Sequence, residues 1–400
     1  MILMRSEFNA LRFFAGDERT LEQMPELPVD EPFAPARIEF LNTVSRILLS
    51  DRETKRYPDI VTFAFWIRKA NLEQLKRRFS KDRAVRLGRG VVLHIAPSNV
   101  AVNYAYSLAS GFVLGNANIV RLPSRDFPQV RIINQAIQAA LEKSAFRDTL
   151  ALVRYERSRE INDYLSSICD MRVIWGGDAT IQELRKSPLP SRAGEITFAD
   201  RYSICIIDAD TYLRREDKET IAAGFYNDTY LSDQNACTSP RLICWMGDSG
   251  KAARARECFW RLLETVVAAK YEFQAIQFVD KLTNACLAAA EIESLHILPM
   301  NSNQITRVEL ERIDPAIQNY KGNSGFFYEY LLGDILELGP LCGAKMQTVA
   351  LLGNREVLRP LLKRGVRGID RVVEIGHTMD FDLIWDGYDL TERLTRNIQI

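Results

Sequence analysis

Hydrophobic and polar positions divide the chain into a preface of residues 1–85 and a longer region of alternating strands and helices. In the preface, the Pro-rich acidic stretch MPELPVDEPFAPAR predicts extended or loop structure. Apolar residues at helical spacing then predict helices within residues 38–50 and 57–80. The basic run KANLEQLKRRFSKDR is typical of a solvated helix face.

From Gly90 onward, short β-branched runs alternate with amphipathic stretches. The first predicted strands are VVLHIA (91–96), ANIVRL (117–122), TLALVRY (149–155), MRVIWGG (171–177) and YSICIID (202–208). A second series follows Cys237, with strands predicted at RLICWM (241–246), QAIQFVD (274–280), SLHILPM (294–300) and MQTVALLG (346–353). Continuously apolar strands separated by helices predict parallel sheets covered on both faces.

The pattern therefore predicts an α/β protein with four regions. We expect an N-terminal extended and helical region (1–85), a first, Rossmann-like α/β domain (86–225), a second α/β domain (226–365) and a C-terminal segment (366–400). The linker between the two α/β domains is predicted within residues 209–232.

Charge narrows the classes of function. Lys and Arg total 52 and Asp and Glu total 52, so the formal net charge is zero, which disfavours a dedicated nucleic-acid binder. Charge or glycine interrupts every apolar stretch before the roughly 18 residues that a membrane span requires. The opening MILMRSEFNALRFF does not read as a secretory signal. A reducing cytoplasm is expected from the cysteines, which are predicted to be free thiols.

The seven cysteines are odd in number and include no CxxC pair, which disfavours a disulfide framework or zinc ribbon. Three well-separated histidines lack metal-ligand spacing, so no metal is expected. Cys237, in SDQNACTSPRLICW, lies among small polar residues before a strand, where its pKa could be lowered for nucleophilic attack. The other cysteines lie in apolar patterns typical of small buried side chains, Cys244 in a core strand and Cys286 in a core helix.

Three further stretches end predicted strands in polar or glycine residues, at the edge where α/β sheets bind ligands. Asn99 either caps the following helix or donates to an oxyanion. Ser124 and Arg125 either contact an adenosine ribose or phosphate or form an ordinary exposed loop. Gly176 and Gly177 suit a backbone that approaches a dinucleotide, although the stretch is not GxGxxG and alone is a weak signal.

Taken in order, these stretches resemble a known family. PSN, GNANIVRLPS, WGG and DQNACTSPR are similar to the motifs of the aldehyde dehydrogenase superfamily. The closest resemblance is to the LuxC-type acyl-CoA reductases, carried by APSNVAVNYAYSL, GNANIVRLPSRDFPQV, SDQNACTSPR, GIDRVVEIG and FDLIWDGYDL. It covers about residues 85–400 and leaves the first 85 unplaced.

The resemblance implies roles for the regions and for single residues. Residues 86–225 would be the NADP-binding domain, 226–365 the catalytic domain carrying Cys237, and 366–400 a segment that returns to the domain or subunit interface. The active site would lie in the crevice between the two α/β domains.

Cys237 would be the nucleophile, with Asn99 and the Cys237 N–H as the oxyanion hole. Gly176 and Gly177 would line the pyrophosphate of a dinucleotide, and Ser124 would contact its adenosine end.

Two departures from the superfamily pattern bear on chemistry. Hydrolytic members hold a glutamate upstream of the cysteine as a base for water, whereas the matching phrase FADRYS has Asp200 and no Glu, with Glu195 outside the phrase. Loss of that base suits an enzyme that handles thioesters.

The second departure concerns the cofactor. NAD-preferring members carry Lys-Pro-Ser-Glu where this chain has Leu122-Pro123-Ser124-Arg125. The arginine would attract a 2′-phosphate, so NADPH is expected. Leu122 replaces a lysine that anchors the ribose, and Arg121 is a candidate substitute that strand alternation would point the other way.

The C-terminal phrase leaves alternatives open. Trp385 and Tyr388 are acyl-pocket or subunit-contact residues, or packed aromatics of a returning strand. His377 is either a proton donor or a loop histidine without that role.

The resemblance implies NADPH-dependent reduction of a long-chain acyl-CoA or acyl-protein thioester to an aldehyde through a Cys237 acyl-enzyme. It also implies a homo-oligomer and a complex with an acyl-protein synthetase. The alternatives are an NAD(P)-dependent aldehyde dehydrogenase that forms free acid, and a non-catalytic acyl-transfer scaffold.

Overall fold

The structure is a computed structural model that describes residues 10–79, 85–293, 295–299 and 301–399. Residues 1–9 of the opening stretch, 80–83 of the basic run, and both ends of the predicted strand 294–300 lie outside the described residues. The described chain forms two compact units. The first contains the residues up to Ala199 and those from Phe381 onward, and the second contains Asp200–Asp380.

The first unit is built on a mostly parallel sheet. The strands of this unit up to Ala199 are β1 (Arg12–Ala15), β2 (Val85–Gly88), β3 (Val91–Ile95), β4 (Ala117–Arg121), β5 (Leu150–Arg154), β6 (Met171–Trp175) and β7 (Gly194–Phe198). Among the described residues the sheet order is β1-β5-β4-β3-β6-β7, with β1 antiparallel to β5 and the other pairs parallel. Every residue of β3 is buried, as expected of a central parallel strand.

The preface belongs to this unit. The helices are α1 (Glu18–Gln23), α2 (Pro35–Ser50), α3 (Pro58–Trp66), α4 (Lys69–Phe79), α5 (Asn103–Val113), α6 (Pro128–Leu141), α7 (Arg159–Ser167) and α8 (Asp178–Leu184). Strand β1 extends the sheet, and α2 to α4 bury apolar residues in the core shared with α5 and α6. Arg37 is buried and donates to the carbonyls of Phe112 (2.9 Å) and Asn116 (2.7 Å). Residues 10–79 therefore do not form a separate region.

A network of buried polar side chains links β3 to α5, β4 and β6. Trp175 donates its indole N–H to Ser107 Oγ (3.0 Å), and His94 Nδ1 lies 2.7 Å from the same hydroxyl. His94 Nε2 lies 3.0 Å from Asn118 Oδ1, so the proton is assigned to Nε2. Burial lowers the pKa of His94 to about 4, which keeps the ring neutral. Gly111 packs against this network, and a larger residue would not fit there, since a Cβ would lie 2.2 Å from Asn118 Oδ1.

The second unit has its own sheet. Its strands are β8 (Tyr202–Asp208), β9 (Pro240–Met246), β10 (Leu295–Ile297), β11 (Thr306–Leu310), β12 (Phe326–Leu332), β13 (Met346–Leu352) and β14 (Arg371–Val373). Within the described part of the chain the order is β10-β11-β12-β9-β8-β13-β14, with β10 antiparallel to β11 and the remaining pairs parallel.

One predicted strand of this unit is wrong. QAIQFVD begins a helix, because Gln274 and Gln277 form reciprocal side-chain caps. Its buried residues Lys281, Ala285 and Ala288 follow helical spacing. The helices are α9 (Ala209–Arg214), α10 (Lys218–Thr229), α11 (Ser249–Lys270), α12 (Ala275–Glu291) and α13 (Arg359–Lys363). Short 3₁₀ helices occur at Met24–Glu26, Thr54–Arg56, Arg147–Thr149, Tyr230–Ser232, Pro315–Gln318, Ile335–Leu341 and Arg355–Leu358.

A fully buried carboxylate holds several of these elements together. Glu329 on β12 accepts hydrogen bonds from the indoles of Trp245 (2.8 Å) and Trp260 (2.9 Å). Arg307 and Arg256 donate to the same carboxylate at 2.5 and 3.1 Å. The buried charge is therefore paired and hydrogen-bonded, as its burial requires.

The C-terminal residues return to the first unit. They form β15 (Ile384–Trp385), β16 (Tyr388–Asp389), α14 (Leu390–Arg393) and β17 (Thr395–Ile398). Strand β17 pairs antiparallel with β2. Leu383, Trp385, Leu390 and Leu394 lie in that unit's core.

The division between units falls between Ala199 and Asp200, not within residues 209–232 as predicted. Strand β8 is the cause of the difference, because it pairs with β9 and β13 of the second sheet. Its apolar pattern identifies a buried parallel strand but not the sheet that it joins. The predicted linker instead contains α9 and α10.

Candidate active site

Five predicted site residues lie at one edge of the first sheet. Asn99 follows β3, Ser124 and Arg125 follow β4, and Gly176 and Gly177 follow β6. These strands are adjacent, parallel and aligned, since Ile95 pairs with Arg121 on one side and Ile174 on the other. The five residues therefore lie at the carboxyl edge of the sheet, the edge at which open α/β sheets bind ligands.

Asn99 is exposed in the loop between β3 and α5. The N-cap of α5 is Val102, and no side chain caps that helix. The capping alternative for Asn99 therefore has no supporting contact.

The loop after β4 presents Ser124 and Arg125 to solvent. The Arg125 guanidinium lies 5.0 Å from the ring of Phe127. Leu122 is buried, and Arg121 stacks 4.5 Å from the ring of Tyr155. Arg121 is therefore held by Tyr155, whereas the Ser124 hydroxyl and the Arg125 guanidinium are exposed.

Gly176 and Gly177 connect β6 to α8. The Gly176 N–H donates to the Phe198 carbonyl at 3.1 Å. Gly177 is the N-cap of α8, and a Cβ there would meet nothing within 4 Å. The open space suits close approach of a ligand to the backbone.

Cys237 lies in the second unit, in the turn before β9. It is half-buried, and its carbonyl accepts a 2.7 Å hydrogen bond from Ser203 Oγ. Gln234 fixes the turn: its amide nitrogen donates to the Pro240 and Phe326 carbonyls, both at 3.0 Å, and its oxygen accepts from two backbone N–H groups. Because β9 follows the turn, Cys237 lies at the amino edge of its sheet.

Two cations interact electrostatically with Cys237. Arg241 is buried and donates to Gln234 O (2.5 Å), the Gly322 carbonyl and Asn323 Oδ1 (3.0 Å). Burial lowers the pKa of Arg241, and the charge of Cys237 is among those that oppose the shift. Lys321 has the same electrostatic relation to Cys237. Positive charges beside a cysteine favour its thiolate.

The two upstream carboxylates are both ion-paired. Asp200 lies 2.6 Å from Lys321 Nζ. Glu195 is held by Arg172 at 2.6 Å and Arg185 at 2.7 Å. Each carboxylate therefore has a cation as its immediate partner.

A loop from the family-like C-terminal phrase also lies beside the cysteine turn. Thr238, the residue after Cys237, contacts Met379 Sδ at 3.3 Å. Asp228 holds this loop by accepting from the N–H groups of Gly376 (2.6 Å) and Thr378 (3.0 Å). Burial raises the pKa of Asp228 to about 6, although these bonds favour its charged form.

His377 lies in this loop and is exposed, with Nδ1 2.7 Å from Asp380 Oδ2. That hydrogen bond raises the pKa of His377. Trp385 and Tyr388 pack in the first unit, with ring centroids 5.0 Å from Phe381 and 5.8 Å from Phe198. Their contacts agree with the packed-aromatic alternative.

One expectation about the other cysteines is wrong. Cys286 is exposed on α12, since the small residues that face the core there are Ala285 and Ala288. Cys244 is buried as expected, and burial raises its pKa.

Sequence reasoning missed Arg241, Lys321 and Asp228. Arg241 gave a signal, because a charged residue at the start of a continuous apolar strand needs buried partners. Lys321 and Asp228 gave none, since their partners come from distant parts of the chain.

Within the described residues, no cluster of three or more His, Cys, Asp or Glu side chains is arranged to hold a metal ion. In the same part of the chain, no helix is both long and apolar enough to cross a membrane.

Sequence comparison relates the chain to known proteins. Residues 68–282, more than half of the chain, match the family described as Acyl-CoA reductase (LuxC). A long-chain acyl-protein thioester reductase 2 from Photobacterium leiognathi is 28% identical over 166 residues, which cover 41% of this chain and 33% of the relative. A long-chain acyl-protein thioester reductase from Aliivibrio fischeri is 23% identical over 163 residues, covering 40% and 33%. The matched part spans about a third of the length of these curated relatives.

Structural comparison identifies the fold. Aldehyde dehydrogenase 21 from Physcomitrella patens matches with a TM-score of 0.68 at 12% identity, covering 95% of this chain and 88% of that one. A benzaldehyde dehydrogenase from Corynebacterium glutamicum matches with a TM-score of 0.66 at 14% identity, covering 94% and 88%. These comparisons confirm the α/β fold and the resemblance drawn from the sequence: the protein has an aldehyde dehydrogenase-like fold and belongs to the acyl-CoA reductase (LuxC) family.

Proposed function

We propose that the protein reduces a long-chain fatty acyl thioester to the aldehyde with NADPH, through an acyl-enzyme at Cys237. The observation that carries this proposal is the setting of Cys237. It lies in a turn locked by Gln234, with Arg241 and Lys321 close enough to interact with its charge. A thiolate, not a thiol, is the attacking form of cysteine.

Attack by Cys237 Sγ on the thioester carbonyl forms the acyl-enzyme as the bond to the donor's sulfur breaks and its thiolate leaves. The Asn99 amide and the Cys237 N–H are proposed to donate to the transient oxyanion, a role that comes from the family resemblance. After reduction, the thiohemiacetal at Cys237 collapses to free aldehyde and regenerates the thiolate.

The residues at the carboxyl edge of the first sheet fit a phosphorylated dinucleotide. Gly177 leaves space for a pyrophosphate, and Ser124 and Arg125 are exposed. Arg125 would bind a 2′-phosphate by a charge-assisted contact. When bound, the nicotinamide supplies the hydride.

Reaction at Cys237 should give aldehyde rather than acid because the two carboxylates upstream of it, Asp200 and Glu195, are both ion-paired. Hydrolysis of an acyl-enzyme needs a base for water. Asp200 is paired with Lys321, and Glu195 with two arginines.

The acyl donor is proposed to be an acyl-CoA or an acylated partner protein. The family description supports the first and the names of the curated relatives support the second. Homo-oligomers and a complex with an acyl-protein synthetase are further proposals from the same resemblance.

The test is single-turnover acylation with a radiolabelled long-chain acyl-CoA, without cofactor, followed by NADPH. We expect label on the wild type and release as aldehyde when NADPH is added. Cys237→Ala should retain no label, and Cys286→Ala, which removes an exposed thiol, should behave as wild type.

Other outcomes would contradict the proposal. Label retained by Cys237→Ala would exclude that nucleophile. Release as free acid would favour the aldehyde dehydrogenase alternative. A wild type that accepts no acyl group from acyl-CoA or from an acylated protein would favour the scaffold.

A further inference from the structure

An ion pair lies across the amino end of β9, the strand that follows Cys237. Asp200 precedes β8 and Lys321 precedes β12, and these two strands flank β9. Lys321 Nζ lies 2.6 Å from Asp200 Oδ2 and donates to the Arg201 carbonyl at 2.9 Å. The pair therefore spans the amino edge of the sheet where the Cys237 turn lies.

The lysine is more deeply buried than its partner. The Lys321 side chain is 17% exposed, whereas that of Asp200 is 45% exposed. Burial lowers the pKa of Lys321, and the hydrogen bond to Asp200 opposes that shift. Asp200 thus helps to keep the ammonium charged, and Lys321 holds the carboxylate.

Lys321 also lines a polar recess. The recess has a volume of about 330 Å³, and Lys321 lines it together with Asn235 and Asn323. Asp233 and Asp280 contribute acidic groups to the same lining. Lys321 therefore has the cysteine turn, Asp200 and an open polar space around it.

The two cations near Cys237 differ in their freedom. Arg241 is committed to backbone and side-chain acceptors that shape the turn. Lys321 donates instead to the Asp200 carboxylate and the Arg201 carbonyl. A variant at Lys321 can thus remove charge with less damage to the turn than one at Arg241.

We propose that Lys321 is a positioning residue for the chemistry at Cys237, with two linked effects. Its ammonium favours the Cys237 thiolate, and its ion pair prevents Asp200 from taking a proton from water. In the second effect, water oxygen would otherwise attack the acyl carbonyl, the carboxylate would accept the proton, and the carbon–sulfur bond would break to give acid. This second effect rests on the proposed function, whereas the first does not.

The first effect is measured by alkylation of Cys237 with iodoacetamide across pH, followed by peptide mass spectrometry. In Lys321→Met we expect the alkylation midpoint to move to higher pH, with about a tenfold lower rate below the midpoint for a shift of one pH unit. Lys321→Arg should retain the wild-type profile, because its charge is kept.

Two controls separate this effect from unfolding. Lys363→Met removes an exposed lysine of α13, so the alkylation profile of Cys237 should match that of wild type. Cys286 is an internal reference, and its alkylation profile should be the same in every variant. If Lys321→Met unfolds, Lys321→Gln replaces it. A folded charge-removing variant whose Cys237 profile matches wild type would overturn the proposal, whether or not the protein is a reductase.

The second effect is measured as the fraction of acyl groups released as free acid. Lys321→Met should increase that fraction, and Lys321→Met with Asp200→Asn should return it to the wild-type level. Excess acid that persists in the double variant would exclude Asp200 as the base. A single variant with unchanged acid release would refute the protective role of the ion pair.

Discussion

Cys237 differs from the other half-buried cysteine, Cys258, chiefly in the charges around it. Cys258 interacts with the phenol of Tyr212, whereas Cys237 interacts with Arg241 and Lys321. Because a nearby cation stabilises a thiolate, charge rather than exposure distinguishes the proposed nucleophile.

Replacement of Asn99 separates catalysis from local structure. Val102, not Asn99, occupies the N-cap position of α5, so Asn99→Ala should change stability by less than about 0.5 kcal/mol. Loss of an oxyanion donor should slow single-turnover acylation by about a hundred- to a thousandfold. Melting temperature measured beside the acylation rate checks both. A lowered melting temperature with an unchanged rate would assign Asn99 a structural role.

Reversal of charge at Arg125 tests the cofactor. We expect wild type to prefer NADPH, because a charge-assisted contact to phosphate contributes about 1.5–3 kcal/mol, or one to two decades in binding. Arg125→Glu should narrow or invert that preference. The measurement is the ratio of kcat/KM for NADPH and NADH.

Arg19→Glu is the matched control for that experiment. Arg19 is exposed on α1, which packs beside the turn that precedes β5. The control should leave the ratio unchanged. Equal use of both cofactors by wild type would contradict the role of Arg125.

Among the secondary-structure elements, buried polar side chains join strands to neighbouring strands and helices in both units. In the first unit, His94 joins β3 to α5 and β4 through Ser107 and Asn118. In the second, Glu329 joins β12 to α11 and neighbouring strands. Such groups must stay satisfied, so their protonation state affects stability.

The His94 network predicts that the free energy of unfolding depends on pH. Its pKa is lowered to about 4 from 6.5, so the unfolded chain binds more protons between these values. The stability that the neutral His94 ring gives the folded state is present in full above pH 6.5. It is lost as pH falls toward 4, by about 3 kcal/mol in total. His94→Gln should lack this slope.

Urea unfolding of wild type and variant between pH 4 and 7 measures the difference. His296→Gln, which changes an exposed histidine, should keep the wild-type slope. Parallel pH profiles for wild type and His94→Gln would contradict the assignment.

At the scale of the whole molecule, residues far apart in sequence complete one core. Asn116 donates to the Leu394 carbonyl at 3.0 Å across 278 positions. Strand β17 pairs with β2, which precedes the first parallel strand of the first sheet. The C-terminal segment is thus part of the first unit's structure.

Truncation of Leu394 tests that contribution. Leu394 is 1% exposed, so Leu394→Ala should destabilise the first unit by about 2–5 kcal/mol. Arg396→Ala, at an exposed position of β17, should change stability by less than about 0.5 kcal/mol. Urea unfolding compares the two. Equal stability of the variants would show that Leu394 adds little to the core.

Local sequence determined the α/β class, the strands β3 to β6, β8, β9 and β13, and the family. Continuous apolar runs identify buried parallel strands because both faces of such strands are covered. The phrases around Asn99, Ser124, Gly176 and Cys237 identified the family because their order along the chain is itself information.

Only the tertiary structure decided which sheet β8 joins, that QAIQFVD is helical, and that Cys286 is exposed. It also decided the partners of Cys237. Lys321 and Asp200 are 121 residues apart in sequence and meet because β12 and β8 flank β9. A pattern read along the chain reports local periodicity, whereas these contacts depend on strand order, which long-range packing determines.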